Sequence, residues 1–196
     1  MQNAWFFLSA AGDSRWLLPM TLVLLCALPS SRARLKWRWL TAICSTAAVT
    51  LASKLAFMGW GIGIERLHFT GFSGHAAMSS VAYPVIGLML GGASRHGRAI
   101  GLLSGCALAI AIAWSRIPLQ AHSLSEIFAG LTLGLVASAW TLRADTHPQR
   151  PAAAAVLAAA VIGLVLPLSL PHLPTHQLVI ALAKALSGRT EVVESF

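Results

Sequence analysis

Residues 99–142 read AIGLLSGCALAIAIAWSRIPLQAHSLSEIFAGLTLGLVASAWTL. Two apolar runs, 99–114 and 123–142, flank a short polar turn. The first run holds no charged residue, and the second holds only Glu126. A hydrocarbon core takes about 20 helical residues, so both runs read as membrane helices. Neither alternates with the period of two that a strand needs. The whole chain has the same character. Of 196 residues, 57% are apolar and 10% charged, with a mean hydropathy of +0.73. A soluble domain carries about 25% charged residues, too many to match this chain. Disorder needs low hydrophobicity and high charge, the opposite composition. The fold expected is an all-α polytopic membrane helix bundle forming one domain over residues 1–196.

Working outward, six spans emerge, at about 16–29, 37–57, 76–92, 99–114, 123–142 and 152–170, the last with Pro167 near its end. They make up a six-span core over residues 16–170. The segment 1–15 reads as an interfacial helix carrying Trp5, Phe6 and Phe7, without the basic start of a cleavable signal. The tail 171–196 reads as a turn and an amphipathic helix at 175–187, lying on the outer surface. The net charge is +8. Eight basic residues fall in three loops on one side: Arg32, Arg34, Lys36, Arg38, Arg95, Arg98, Arg143 and Arg150. Positively charged loops stay cytoplasmic, so both termini and the loops 54–74 and 116–121 face outward. The basic excess therefore needs no nucleic-acid partner. Trp37 and Trp39 beside the basic loop read as interface anchors. Cys26, Cys44 and Cys106 lie in apolar runs and read as buried free thiols. Ser79, Ser80, Ser104 and Ser138 read as small packing residues. His96, His147, His172 and His176 read as solvated.

Two outward segments carry ionisable groups at the membrane boundary, where they are costly and point to function. One is Gly71-Phe72-Ser73-Gly74-His75. The other runs from Ser115-Arg116 to His122 and Glu126. Ser73 and Gly74 precede a helix, and helix N-terminal N–H groups bind anions. Arg116 offers a planar fork that matches a phosphate. Lys54 and Arg66 add two positive charges on the same side. His122 and Glu126, four apart, share a helix face. The carboxylate can fix one imidazole nitrogen and leave the other free to attack. His75 beside the cradle can protonate a leaving oxygen. That set suffices for phosphoester hydrolysis without a metal or cofactor.

Ser73-Gly74-His75 followed by Ser115-Arg116, His122 and an acid at 126 resembles the type-2 phosphatidic acid phosphatase superfamily. That group includes bacterial lipid phosphatases, glucose-6-phosphatase and the vanadium haloperoxidases. The resemblance covers residues 54–142 and implies the acid-phosphatase/haloperoxidase-like core in its membrane form. It implies that His122 forms a phosphohistidine, Glu126 orients it and His75 is the general acid. It implies phosphate binding by Ser73, the Gly74 amide and Arg116, with Ser115 of the same motif beside them. Lys54 and Arg66 stand for the family's first motif. Three positions depart from the pattern. Phe72 replaces a Pro, Glu126 replaces an Asp, and Lys54 and Arg66 are more widely spaced than usual.

The function expected is an integral membrane lipid phosphatase at the outer face of a bacterial inner membrane, its site facing the periplasm. Its partners are membrane lipids and a lipid phosphate, with undecaprenyl diphosphate the first choice. Phosphatidylglycerophosphate, phosphatidic acid and lipid A phosphates are the alternatives, as is transfer of the phosphoryl group to another lipid. A non-catalytic transport module is the reading from a different class. It would need a charge in mid-span, which the sequence lacks. Oligomeric state is not encoded in these features.

Overall fold

The computed structural model describes residues 2–144, 151–169 and 175–193. Arg150, His147, His172 and the turn expected near 171 lie outside the described residues. Among the described residues, eight α-helices follow in order: α1 (Gln2–Ala10), α2 (Ser14–Ala27), α3 (Ala33–Trp60), α4 (Gly74–Leu90), α5 (Arg95–Ser115), α6 (Leu124–Leu142), α7 (Ala153–Ser169) and α8 (Thr175–Ser187). Short 3-10 turns at Ser30–Arg32 and Glu65–Leu67 link them. Among the described residues there is no strand, only an isolated bridge between Ile64 and Phe69.

Helix α4 runs through the middle and packs against α2, α3, α5 and α6. Its small residues Ala76, Ala77, Ser79, Ser80 and Ala82 are all buried. They let neighbouring backbones approach, which is how helices associate without a hydrophobic drive between them. The α4–α5 crossing is the tightest case. A Cβ on either Gly87 or Gly101 would sit 2.1 Å from the other's carbonyl oxygen. Helix α7 packs on α2, α8 on α3, and α1 on α5.

Among the described residues, three helical stretches are long and apolar enough to cross a membrane: Ser30–Trp60, Arg95–Ser115 and Leu124–Leu142. The chain is a membrane protein. The other three expected spans are shorter. Helix α4 has 17 residues, about 26 Å at 1.5 Å per residue. It is enclosed by its neighbours, so its ends need not reach lipid. Large apolar side chains such as Leu103, Ile110, Phe128 and Val136 are exposed on the outside of the bundle.

Several local expectations change. Helix α3 begins at Ala33, so Arg34, Lys36 and Arg38 lie in its first turns rather than in a loop. Arg38 stacks 5.1 Å over the Trp140 ring and ties α3 to the end of α6. Trp37 is 65% exposed, as an interface anchor should be. Trp39 is 0% exposed and donates Nε1–H to the Val81 carbonyl at 3.2 Å. Two helical residues turn through about 200°, which points the two indoles to opposite faces. Cys26 and Cys44, expected to be buried, are exposed, as is Ser104. Helix α8 packs on α3, its Ala183 and Ser187 against Gly59.

Candidate active site

At the end of the bundle opposite the basic loops, the C-termini of α3 and α5 meet the N-termini of α4 and α6. The α3–α4 loop is pinned to α3: the Phe72 amide donates to Ser53 Oγ at 3.1 Å, and Ser53 donates to the Thr50 carbonyl. Gly71 lies against the Lys54 backbone and side chain. The rings of Phe72 and Phe69 pack edge to face with centroids 5.6 Å apart. That contact stiffens the loop at the position where the family pattern has a Pro.

Ser73 occupies the N-cap of α4, fully buried, and its Oγ has no partner. Its amide donates to the Glu126 carbonyl at 3.1 Å. Helix α6 can come this close because Gly130 has no side chain; a Cβ there would lie 2.7 Å from the Ser73 carbonyl. His75 follows in the first turn of α4.

Arg116 caps the C-terminus of α5, half-buried. Its Nη1 donates to Ser9 Oγ at 2.5 Å, and its buried Nε has no partner. Burial pushes the Arg116 guanidinium down, the Asp13 charge opposes this, and the group remains a cation at any working pH. From Arg116 the chain turns tightly. The Ala121 amide donates to the Arg116 carbonyl, and Gln120 sits in the left-handed region at φ +52°.

His122 and Glu126 close the site. His122 Nδ1 lies 2.8 Å from Glu126 Oε2, which also accepts from the Ser123 amide at 3.1 Å. Glu126 Oε1 accepts from the Thr70 amide at 2.8 Å and from Thr70 Oγ1 at 2.5 Å. The carboxylate is 4% exposed and has two donors on each oxygen. A neutral imidazole that donates Nδ1–H to Glu126 carries its lone pair on Nε2.

The expected residues are thus partly gathered. Lys54 interacts electrostatically with Glu126 and Arg116, and His75 with Arg116, Asp13, His122 and Lys54. Ser115 is buried, and its hydroxyl donates to the Ile112 carbonyl at 2.6 Å, so its proton is committed to its own helix rather than to a phosphate. Arg66 sits exposed on the 3-10 turn, which is fastened to α6 by a bond from Ser125 Oγ to the Leu67 carbonyl. It stands at the rim. His68 next to it is also exposed, in the left-handed region at φ +47°.

Sequence reasoning missed four groups. Ser123 and Glu126 form a capping box, which the Ser-x-x-Glu pattern could have revealed. Thr70, Ser9 and Asp13 carry no comparable signal, since they reach the site only through tertiary packing. No group of three or more His, Cys, Asp or Glu among the described residues could hold a metal ion.

A family model described as PAP2 superfamily matches residues 63–150. A Klebsiella pneumoniae protein described as "Uncharacterized 22.5 kDa protein in cps region" is 38% identical over 189 residues. The match covers 92% of this chain and 90% of that protein. No solved structure matches.

Proposed function

The chain belongs to the PAP2 superfamily, a membership that supports action on phosphoester substrates, and from that premise we propose that it is a lipid phosphatase working through a phosphohistidine. The single observation that carries the site is a pair of buried donors without partners, Ser73 Oγ and Arg116 Nε, beside the His122–Glu126 pair. Buried polar groups are nearly always satisfied; of the orphans among the described residues (Thr46, Thr50, Ser73, Ser79 and Arg116), these two belong to the segments that carry the cluster of ionisable groups, which favours an anionic ligand there.

In this reading the phosphoryl oxygens lie against Ser73, the Gly74 amide, Arg116 and Lys54. The α4 N-terminus adds its dipole. His122 Nε2 attacks phosphorus and forms an N–P bond as the P–O bond to the lipid breaks. His75 gives its proton to the departing oxygen; an anion in the cradle favours the imidazolium that can do so. Water then attacks the phosphohistidine, neutral His75 takes a proton from it, and inorganic phosphate leaves. The fixed positive groups match the charge spread over the equatorial oxygens. Glu126 holds the imidazole and offsets the positive charge that develops on it.

A lipid substrate is supported by the position of the site at one end of the membrane helices. Undecaprenyl diphosphate remains the first choice, acted on at the periplasmic face of a bacterial inner membrane. Phosphate release from a panel of isoprenyl diphosphates and phospholipids by the purified protein is the test. The expected result is turnover of one lipid class, with an acid-labile phosphoryl group trapped on His122. Release of phosphate from wild type without such an adduct, and undiminished in His122→Ala, sinks the mechanism.

A further inference from the structure

The segment 9–13, the end of α1 and its turn into α2, lies outside the residues matched by the family model and outside every motif of the sequence. It nonetheless touches the phosphate site at several points. Ser9, 5% exposed, accepts from Arg116 Nη1 at 2.5 Å. The Gly12 backbone lies against the His75 ring and α5: a Cβ there would be 3.4 Å from His75 Cδ2 and 2.3 Å from Ile112 Cγ2. The Asp13 carboxylate interacts electrostatically with both His75 and Arg116.

The turn is itself held from several sides. Tyr83 of α4 donates its hydroxyl to the Ala11 carbonyl at 2.6 Å. The Gly12 amide donates to the Ser9 carbonyl at 2.9 Å. Asp13 caps α2 by accepting from the Arg15 amide and is bridged by the Arg15 guanidinium at 2.7 Å. Ser9 is therefore a fixed acceptor rather than a side chain on a loose end.

A guanidinium is planar, and its donors form a rigid fork. Holding Nη1, with the side chain anchored at its other end on α5, restricts the tilt of that plane and with it the direction of the Nε–H, which has no protein partner. We propose that Ser9 is a positioning residue of the phosphate site, holding the Arg116 fork so that its free Nε–H is offered to a phosphoryl oxygen. The inference rests on the phosphatase reading above and adds the N-terminal helix to the site.

The test compares Ser9→Thr, which keeps the hydroxyl, with Ser9→Val, which has nearly the same shape without it. Both are measured as full-length protein, by phosphate release and by inhibition with orthovanadate. A hydrogen bond to a charged group is strong enough that Ser9→Val should raise the inhibition constant for vanadate and lower kcat/KM by about tenfold. Ser9→Thr should stay within about twofold of wild type. In an Arg116→Lys background, which lacks the fork, replacing Thr by Val at position 9 should change either value by less than about twofold. Equal kinetics for the Thr and Val variants overturn the proposal, as does a tenfold gap that persists with Arg116→Lys. A wild-type protein with neither phosphatase activity nor vanadate binding overturns the phosphatase reading itself.

Discussion

His122 Nδ1 and Glu126 Oε2 stand 2.8 Å apart, and Thr70 and Ser123 saturate the rest of that carboxylate. The histidine is therefore oriented by a group that has no freedom of its own. Fixing one imidazole nitrogen decides the tautomer and aims the other nitrogen. Glu126 has a longer arm than the family's usual Asp, and the Thr70 loop holds the far oxygen of that arm.

Removing the carboxylate should cost catalysis more than folding. Glu126→Ala is expected to lower kcat by on the order of 10²–10⁴-fold, the range for a positioned acid–base group. Initial rates of phosphate release check this, with thermal unfolding in detergent as the folding control. A loss below about threefold would contradict the orienting role.

Thr70 acts on His122 through Glu126. Thr70→Val removes the hydroxyl donor and leaves the amide bond to Oε1. We expect kcat to fall by about tenfold with KM nearly unchanged, since a bond to a charged acceptor is worth about 1.5–3 kcal/mol. Thr70→Ser should recover most of the rate. Steady-state kinetics on the three proteins separate this from a general packing defect.

Lys54 and Arg66 should differ. Lys54 is half-buried against the Gly71 loop, while Arg66 is exposed at the rim. Lys54→Ala is expected to lower kcat/KM by at least about 30-fold. Arg66→Ala should raise KM a few-fold, fade with added salt and leave kcat alone, as screened rim charges do. Salt titration of kcat/KM for both variants distinguishes the two roles.

Asp13 couples stability to pH. Burial pushes its carboxyl up, but the bonds and charge of Arg15 outweigh this and hold it below the ordinary 3.8. A carboxyl lowered in the folded state stabilises above its unfolded value and loses that stabilisation as pH falls through the folded one. Asp13→Asn should thus melt lower than wild type at pH 7. The gap should close below about pH 4. Unfolding temperatures across that range check the sign.

The α4–α5 crossing should not tolerate a methyl group. Gly87→Ala places a Cβ against the Gly101 carbonyl, a backbone atom that cannot rotate away. A destabilisation of about 1–3 kcal/mol is expected from such overpacking. Gly188→Ala makes a control for helix-end glycines, since nothing lies within 4 Å of a Cβ there. It carries only the backbone strain of φ +69°. Unfolding midpoints in detergent give the comparison.

The apolar composition and the runs around residues 99–142 were enough to specify a membrane helix bundle. The sequence pointed to the contact of His122 with Glu126 but not to its cause: α6 begins at Leu124 with Ser123 as its N-cap, so His122 precedes the helix and meets Glu126 across the capping box rather than along a shared helix face. Lys54 and Arg66 show where such local reasoning stops. They are equal charges in one loop region by sequence, and only folding makes one half-buried and the other exposed.

Trp37 and Trp39 locate the reason. In water, the apolar face of a helix is the inner face, so a sequence pattern reports burial. In lipid both faces of a helix are apolar, and the pattern loses that information. Hence the sequence by itself determined the class of protein, the end of the bundle where the ionisable groups gather and the residues of the His122–Glu126 pair. It could not determine that Trp39 turns inward, that Cys26 and Cys44 turn outward, or that Thr70 and Ser9 reach Glu126 and Arg116. Those contacts join residues 56 and 107 positions apart, and only the tertiary packing of α1 on α5 and of the Thr70 loop on α6 brings them together.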